Sequence, residues 1–483
     1  MISKLNIILL TVFVFASVSC GDFLKEVSQD EFEPSTTAAY TELLNGEGYN
    51  YNVVDALTWY MDDDVDGCVS YTPSDGQMAY KDVFTWQYYM DQSLKEAYSQ
   101  DQSTYENFYS KIMACNVVID NVESSLGTES EIANVLGEAL TLRAYYYFHL
   151  VNIFATPYND ARSAPEQRLG VSLVTKSEIL DEGYARNTVA EVYKQITEDI
   201  ERAIVLLEKD KVDNGRFRVN YVAAHLIASR IYLYMEKWDQ VIEHATKAIA
   251  GAPELVYLPG YTFSVPNYPE NSTNPVVSSN FPETIFVYGS MPVTMGFAGT
   301  PICLSDAVVN SYTDNGDSRD GAYFKRTASY LKYPYRNLKH GRAERGYVWR
   351  TAELYLNRAE AYMQKYKAGE SSAGQLAVDD LNELRSNRIT NYTNYQLSTA
   401  EDLETLCKLE RRRELIFEGH RWFDLRRYGM PQIQHKWIAD EGKTTTYTLS
   451  EKDPGYTVPI PQAVLDRNKK LVQNELASDR QGY

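Results

Sequence analysis

Residues 408–429 read KLERRRELIFEGHRWFDLRRYG. Charged and large apolar side chains alternate there so closely that the stretch suits neither an ordinary solvated face nor an ordinary core. Just upstream, Ser398, Thr399, Ala400 and Glu401 have the form of a capping box, in which a hydroxyl and a glutamate satisfy each other's main-chain N–H groups. A helix is expected to start at this box, run through Leu403, Leu406, Leu409 and the arginine run, and stop or kink at Gly419, with Trp422 and Phe423 just beyond. On that helix Glu410, Glu414 and Glu418 share one face, and like charges at this spacing repel unless cations interleave. Arg413 and Arg421 supply some of them. Close carboxylates can serve acid/base catalysis, but the neighbouring arginines would keep all three ionised. The pattern therefore predicts an ion-pair seam that locks this helix to its neighbours.

The chain has 483 residues and a formal net charge of −19. It is long enough for a large core, and helical-repeat architectures run long as one body. A nucleic-acid partner is not expected, because phosphate binding needs clustered Lys and Arg. Tyrosine is over-represented, at 39 against 16 Phe; its flat apolar face and hydroxyl suit both helix packing and the stacking of sugar rings. The five cysteines, Cys20, Cys68, Cys115, Cys303 and Cys407, form no C-x-x-C pair, so zinc and thioredoxin chemistry are unsupported. Cys115 and Cys407 sit in helical patterns, which favours free thiols.

Residues 1–19 carry Lys4, an apolar run over 7–18 broken by Thr11 and Ser17, and then Cys20. The run is too short to span a bilayer and fits a secretory leader. Ser17 and Ser19 before Cys20 resemble a lipoprotein cleavage box, which would make Cys20 the lipidated first residue of the mature chain and a membrane anchor. After Ser103, the residues Tyr105, Phe108, Ile112, Cys115, Ile119 and Val122 recur at helical spacing, and a second helix is expected from about Glu131 to Phe154. Arg143 interrupts its apolar stripe, and the Glu410, Glu414 and Glu418 face is a candidate partner. Thr188 to Glu191 forms another capping box, followed by Val192, Ile196, Ile200, Ala203 and Leu207. Ala228-Ser229-x-x-Tyr232, Val241-x-x-x-Ala245 and Pro253 then fit tetratricopeptide spacing. Arg358-Ala359-x-x-Tyr362 with Ala377-x-x-x-Leu381 repeats the form, and Arg143-Ala144-x-x-Tyr147 repeats its first half.

The expected fold is mainly α, with tetratricopeptide-like helices over about 103–155, 188–250, 347–388 and 398–429. Loop-rich inserts are expected at about 45–100 and 251–345, dense in Tyr, Asp and Gly or in Pro, Gly, Asn and Ser. Asp62-x-Asp64-x-Asp66-Gly67 begins like an EF-hand loop, but Pro73 stands where the bidentate Glu belongs. A different calcium site, acidic acceptors for ligand hydroxyls and a plain solvated loop all remain open. Gly442-Lys443-Thr444 lacks the earlier glycine of a phosphate loop, having Trp437 there. No nucleophile elbow and no H-E-x-x-H zinc motif occurs, and His420 reads as a structural hydrogen bonder. No cofactor or metal is expected.

Residues 408–429, together with GEALTLRAYYYFHLV at 137–151, Cys20-Gly-Asp-Phe-Leu and the closing Tyr456-Thr-Val-Pro-Ile-Pro461, Gln473-Asn474 segment, resemble the SusD/RagB family of outer-membrane nutrient-binding lipoproteins. Glu475-Leu-Ala-Ser-Asp departs from that family's usual Pro-Gly-Tyr ending, although Gly482-Tyr483 closes the chain. The resemblance implies one domain over 20–483 behind the leader. It implies a non-enzymatic surface protein that captures an oligo- or polysaccharide and hands it to a TonB-dependent, SusC-like barrel as a hinged lid. Repeat helices would dock that partner while loops hold sugar, and Asp317-Ser-Arg319-Asp320 would fix a loop. Sugar binding needs an aromatic platform beside hydroxyl-binding side chains. Trp86, Tyr88 and Tyr89 with Asp63 and Asp64 supply both, and the central insert adds Tyr288, Met295, Phe297 and Tyr312. A lipid-anchored glycoside hydrolase and a peptide-binding or scaffold lipoprotein of the same fold are the alternatives.

Overall fold

The structure, a computed structural model, describes residues 34–51, 55, 57–68, 75–98, 103–178, 180–261, 274–289, 302–326, 335–340, 346–440 and 443–483. Cys20, Met295 and Phe297 lie outside these residues. Helices dominate: α1 (Thr37–Leu43), α2 (Asp75–Phe84), α3 (Met90–Tyr98), α4 (Thr104–Asn121), α5 (Glu129–Phe154), α6 (Val189–Asp210), α7 (Tyr221–Tyr234), α8 (Trp238–Gly251), α9 (Thr351–Lys367), α10 (Ser371–Ser386), α11 (Ala400–Glu414), α12 (Arg421–Arg427) and α13 (Gln462–Arg467). Ser103 caps α4 by accepting from the Glu106 N–H. Reciprocal boxes start α5, through Thr128 and Glu131, and α6, through Thr188 and Glu191.

The helices pack as tetratricopeptide-like pairs, α4 on α5, α5 on α6, α7 on α8 and α9 on α10, with α9 also touching α8 and α11. The small residues expected at the crossings, Ala228, Ser229, Ala245, Ala359 and Ala377, are all buried. Gly137 shows why small residues are needed: a Cβ there would stand 2.6 Å from Leu207 Cγ, so α5 and α6 meet through it. Two inserts expected to be irregular carry regular structure. Residues 45–100 contain α2 and α3. Residues 251–345 contain β2 (Thr284–Tyr288), β3 (Ile302–Leu304), β4 (Phe324–Arg326) and β5 (Tyr335–Asn337). Four antiparallel pairs result: β1 (Val65–Gly67) with β3, β2 with β6 (Tyr347–Arg350), β4 with β5, and β7 (Ile433–Asp440) with β8 (Lys443–Leu449). Cys68, Cys115, Cys303 and Cys407 are buried and are not joined in disulfides.

Helix α11 departs from expectation at both ends. Its cap is Thr399, whose hydroxyl accepts from the Asp402 N–H at 3.2 Å, one residue after the expected Ser398. It stops at Glu414 rather than Gly419, because Phe417 (φ 62°) and Gly419 (φ 76°) turn the chain left-handed. Glu418 therefore joins the seam from a turn. Within the seam, the Glu414 carboxylate accepts from Arg388 Nε at 3.1 Å, Arg350 Nη1 at 2.6 Å, Arg319 Nη1 at 3.3 Å and the Tyr323 hydroxyl at 2.9 Å. Glu410 meets Arg319 and Arg413, each at 2.9 Å, and Arg385. Glu418 meets Arg350 at 2.8 Å and Lys339 at 2.5 Å. Glu283, at the entry to β2, closes the network on Arg350 and Arg388 at 3.2 and 2.7 Å.

Burial by itself would raise the Glu414 pKa, but Arg388, Arg350, Arg319 and Lys339 outweigh it and hold the carboxyl well below its ordinary value. Against burial, Glu410 is held down in the same way by Arg319, Arg385 and Arg413, and Glu418 by Arg350 and Lys339, so all three stay anionic as an ion-pair seam requires. Two expected members stand elsewhere. Arg143 binds Asp199 of α6 at 2.7 and 2.8 Å and Asn116 of α4 at 2.9 Å, because its place midway along α5 faces those neighbours rather than α11. Arg421 leaves the seam for Asp63, 2.6 Å away, since the turn after Glu414 points α12 at the Asp loop.

Removing one member of a buried charge network strands the others, at a cost of roughly 3–5 kcal/mol. Glu414→Gln is therefore expected to lower the urea midpoint sharply, whereas Glu123→Gln, in the exposed pair with Arg202, changes stability by less than about 1 kcal/mol. A second expectation concerns acid. Burial, aided by Arg230, pushes the His149 imidazole down to about 3, so the fold keeps it neutral. The unfolded chain takes up a proton below about pH 6.5, so stability present above that pH is lost as pH falls towards 3. Between pH 7 and pH 5 the loss from this residue is about 2 kcal/mol, and denaturation of His149→Phe at the two pH values should show a drop smaller by that amount.

Candidate functional site

The Asp loop after Met61 is a clamp. Asp63 receives Arg421 Nε at 2.6 Å and Nη2 at 2.9 Å, and Asp64 receives Arg412 Nε at 2.6 Å. Burial opposes ionisation of Asp63, yet Arg421 and Arg412 prevail and bring it to about 2. Asp62 accepts from the Asp64 N–H, and Asp66 from the N–H groups of Gly67 and Lys436. Gly67 is required because a Cβ would lie 1.9 Å from the Lys436 carbonyl oxygen. Asp63 and Asp64, expected to face ligand hydroxyls, thus spend their lone pairs on arginines of α11 and α12. Among the described residues no group of His, Cys, Asp and Glu is placed to hold a metal ion.

The expected aromatics divide sharply by exposure. Trp86 is fully buried, stacked on His435 at 4.2 Å with its Nε1–H donating to the Met61 carbonyl at 2.8 Å. Phe84 stacks on His435 as well, also at 4.2 Å, so the imidazole is sandwiched and Trp86 is a core anchor rather than a platform. Tyr288 lies buried between Phe286 and Tyr347, with centroids 5.3 and 5.2 Å away. Tyr312 is buried too, its hydroxyl donating to the Arg413 carbonyl at 2.7 Å. Tyr288 and Tyr312 are therefore also corrected: they pack the strand pairs onto the helices and the seam, and no ring face is left for a ligand.

Tyr88 and Tyr89 are different. They are 41 % and 38 % exposed and meet edge to face, 5.1 Å apart at 86°. The chain reaches them through Trp86, left-handed at φ 54°, and Gln87, whose side chain exchanges hydrogen bonds with the main chain of Arg480, both at 3.2 Å. A buried indole and the chain's own tail thus set the turn that throws both phenols outward. They open onto a groove of about 410 Å3 between residues 88–95 and residues 458–476 of the tail. The tail wall is stapled by Gln473, which bonds both main-chain groups of Ile460, and by Asn474, which donates to the carbonyls of Phe154 and Val458.

Asp91 lines this groove. Its side chain is 15 % exposed, its nearest cation is Lys95 at 3.9 Å, and its carboxylate accepts no hydrogen bond from the described residues. Burial pushes its pKa up to about 6, with Lys95 pulling the other way. Gln92, Gln462 and Asp466 add polar groups. The tail wall and Asp91 escaped sequence reading. The spacing of Asp91 and Lys95 on one helix turn signals only a helical pair, and no local pattern shows that residues 458–476 fold back across residue 88.

Known proteins agree with this architecture. A family model described as SusD-like, starch-binding associating with outer membrane, matches residues 23–233, and the SusD family model matches residues 302–481. A SusD superfamily protein from Bacteroides thetaiotaomicron superposes with a TM-score of 0.70 at 21 % identity, over 91 % of this chain and all of that one. A putative sugar binding protein from Bacteroides vulgatus gives 0.69 at 22 %, over 92 % and 99 %. A SusD-like carbohydrate binding protein from the same species gives 0.67 at 21 %, over 90 % and 97 %. No curated protein matches. The chain belongs to the SusD/RagB family. No helix of the described residues is long and apolar enough to cross a membrane.

The division between buried and exposed rings is testable by thermal unfolding. Trp86→Ala removes a filled core position and should cost roughly 3–5 kcal/mol, whereas Tyr88→Ala should change stability by no more than about 0.5 kcal/mol.

Proposed function

We propose that this chain is a surface lipoprotein, anchored through Cys20, that captures a glycan in the groove beneath Tyr88 and Tyr89 and delivers it to a TonB-dependent outer-membrane barrel. The observation that carries this reading is the exposed phenol pair over a groove whose floor offers a carboxylate without a hydrogen-bond partner among the described residues. A sugar ring presents C–H faces to an aromatic surface and hydroxyls to acceptors, and the groove supplies both in one place. The names of the structural neighbours, a sugar binding and a carbohydrate binding protein, support the same ligand class. Lipidation and transfer to the barrel rest on the leader and on family membership. Weak single-site affinity suffices for a polymer, which re-engages at high local concentration.

One observation favours hydrolysis as a second reading: two carboxylates, Asp91 and Asp466, line the same groove, and burial holds Asp91 near 6, where a general acid works. A polysaccharide array probed with residues 21–483, followed by calorimetry and a reducing-end assay, separates the two. Capture without cleavage is expected, with Tyr88→Ala and Tyr89→Ala each weakening binding about tenfold, near 1.4 kcal/mol. Release of reducing ends, lost in Asp91→Asn, would establish the hydrolase instead.

A further inference from the structure

We propose that the Tyr88 and Tyr89 groove is a charge filter that admits uncharged glycans and rejects those carrying carboxylates or sulfates. This rests on the reading of the groove as the glycan site. The walls carry two carboxylates, Asp91 on α3 and Asp466 on α13, and one cation, Lys95. That cation is already taken: its ammonium lies 3.1 Å from Glu106 of α4 and 3.9 Å from Asp91. Glu106 in turn binds Arg467 at 3.2 Å, which occupies that guanidinium beside the groove. Tyr89 faces further anions. Burial, then Asp82 and Asp479, raise its phenol pKa, so both carboxylates bear on the ring that would meet the ligand.

An anionic sugar entering here meets the carboxylates of Asp91, Asp82 and Asp479, while the cations at the rim are each met by a carboxylate of this chain, Lys95 and Arg467 by Glu106 and Lys469 by Asp466 at 3.7 Å. A neutral sugar meets the same atoms favourably. Asp91 is its best-placed partner, because an ionised carboxylate only accepts hydrogen bonds and a hydroxyl donates. The chain's net charge of −19 extends the same discrimination to long range, where it slows the approach of polyanions.

The test compares matched polymers: an α-glucan, a β-glucan, a mannan and a xylan, each native and carboxymethylated, against residues 21–483. The native form of at least one is expected to bind, and its carboxymethylated form to bind at least about tenfold more weakly at low ionic strength. Screening should narrow that gap in high salt, since exposed charges are screened within about 8 Å at 0.15 M. Asp91→Asn, which removes the charge, should narrow the gap several-fold, read as the ratio of carboxymethylated to native affinity so that any loss of a hydroxyl contact common to both polymers cancels. Equal or tighter binding of the carboxymethylated form overturns the filter and leaves glycan capture standing. A gap that survives both high salt and Asp91→Asn is steric and also overturns it. Failure of every native polymer to bind removes the functional reading and the filter together.

Discussion

A carboxylate taken out of water must be met by cations from wherever the fold can bring them, and Glu414 is that carboxylate here. Its partners come from three separated places: Arg319 before β4, Arg350 at the end of β6 and Arg388 after α10. None can be left behind without stranding charge in a dry interior, where pairing decides whether the cluster is tolerated. The central insert is therefore held to the helical body by an electrostatic requirement as much as by apolar packing. Glu283 bridging Arg350 and Arg388 shows the same logic repeated on the other side of the cluster.

A second cluster does for the N-terminal insert what the seam does for the central one. Arg412 and Arg421, either side of the left-handed turn at Phe417 and Gly419, reach Asp64 and Asp63. One short stretch of chain thus presents glutamates inward to one insert and arginines to the other. The result is a rigid support on which the Trp86 anchor and the His435 sandwich rest, and from which Tyr88 and Tyr89 project. Charge fixes the frame, stacked rings fix the turn, and only then does an exposed aromatic pair acquire a defined position.

Much of the fold could be read from local pattern, because caps, apolar stripes and small residues at crossings act over a few residues. Thr188, Ala228 and Ala377 sit where their spacing placed them. The candidate site could not be read in the same way. Trp86 and Tyr88 are two residues apart and equally aromatic; only the distant His435 and Arg480 make one a core residue and the other a surface one. Local sequence leaves Asp63 without a partner because its captor, Arg421, lies far along the chain. Arg143 meets Asp199 rather than the Glu410, Glu414 and Glu418 face for the same reason. Periodicity says which face of a helix is apolar, not which of several remote carboxylates will be brought opposite a lone cation.

The route of the tail has a consequence for biosynthesis. Residues 458–476 form one side of the groove, Arg480 steadies the turn before Tyr88, and Tyr483 exchanges main-chain hydrogen bonds with Thr446. Residues 87–95 and the tail, far apart in sequence, therefore complete each other. A chain cut, or not yet made, beyond residue 457 lacks one wall of the groove and the Arg480 main-chain bonds to Gln87 that steady the turn before Tyr88. Closure of the groove therefore waits on residues 458–480, although Tyr88 and Tyr89 are made far earlier.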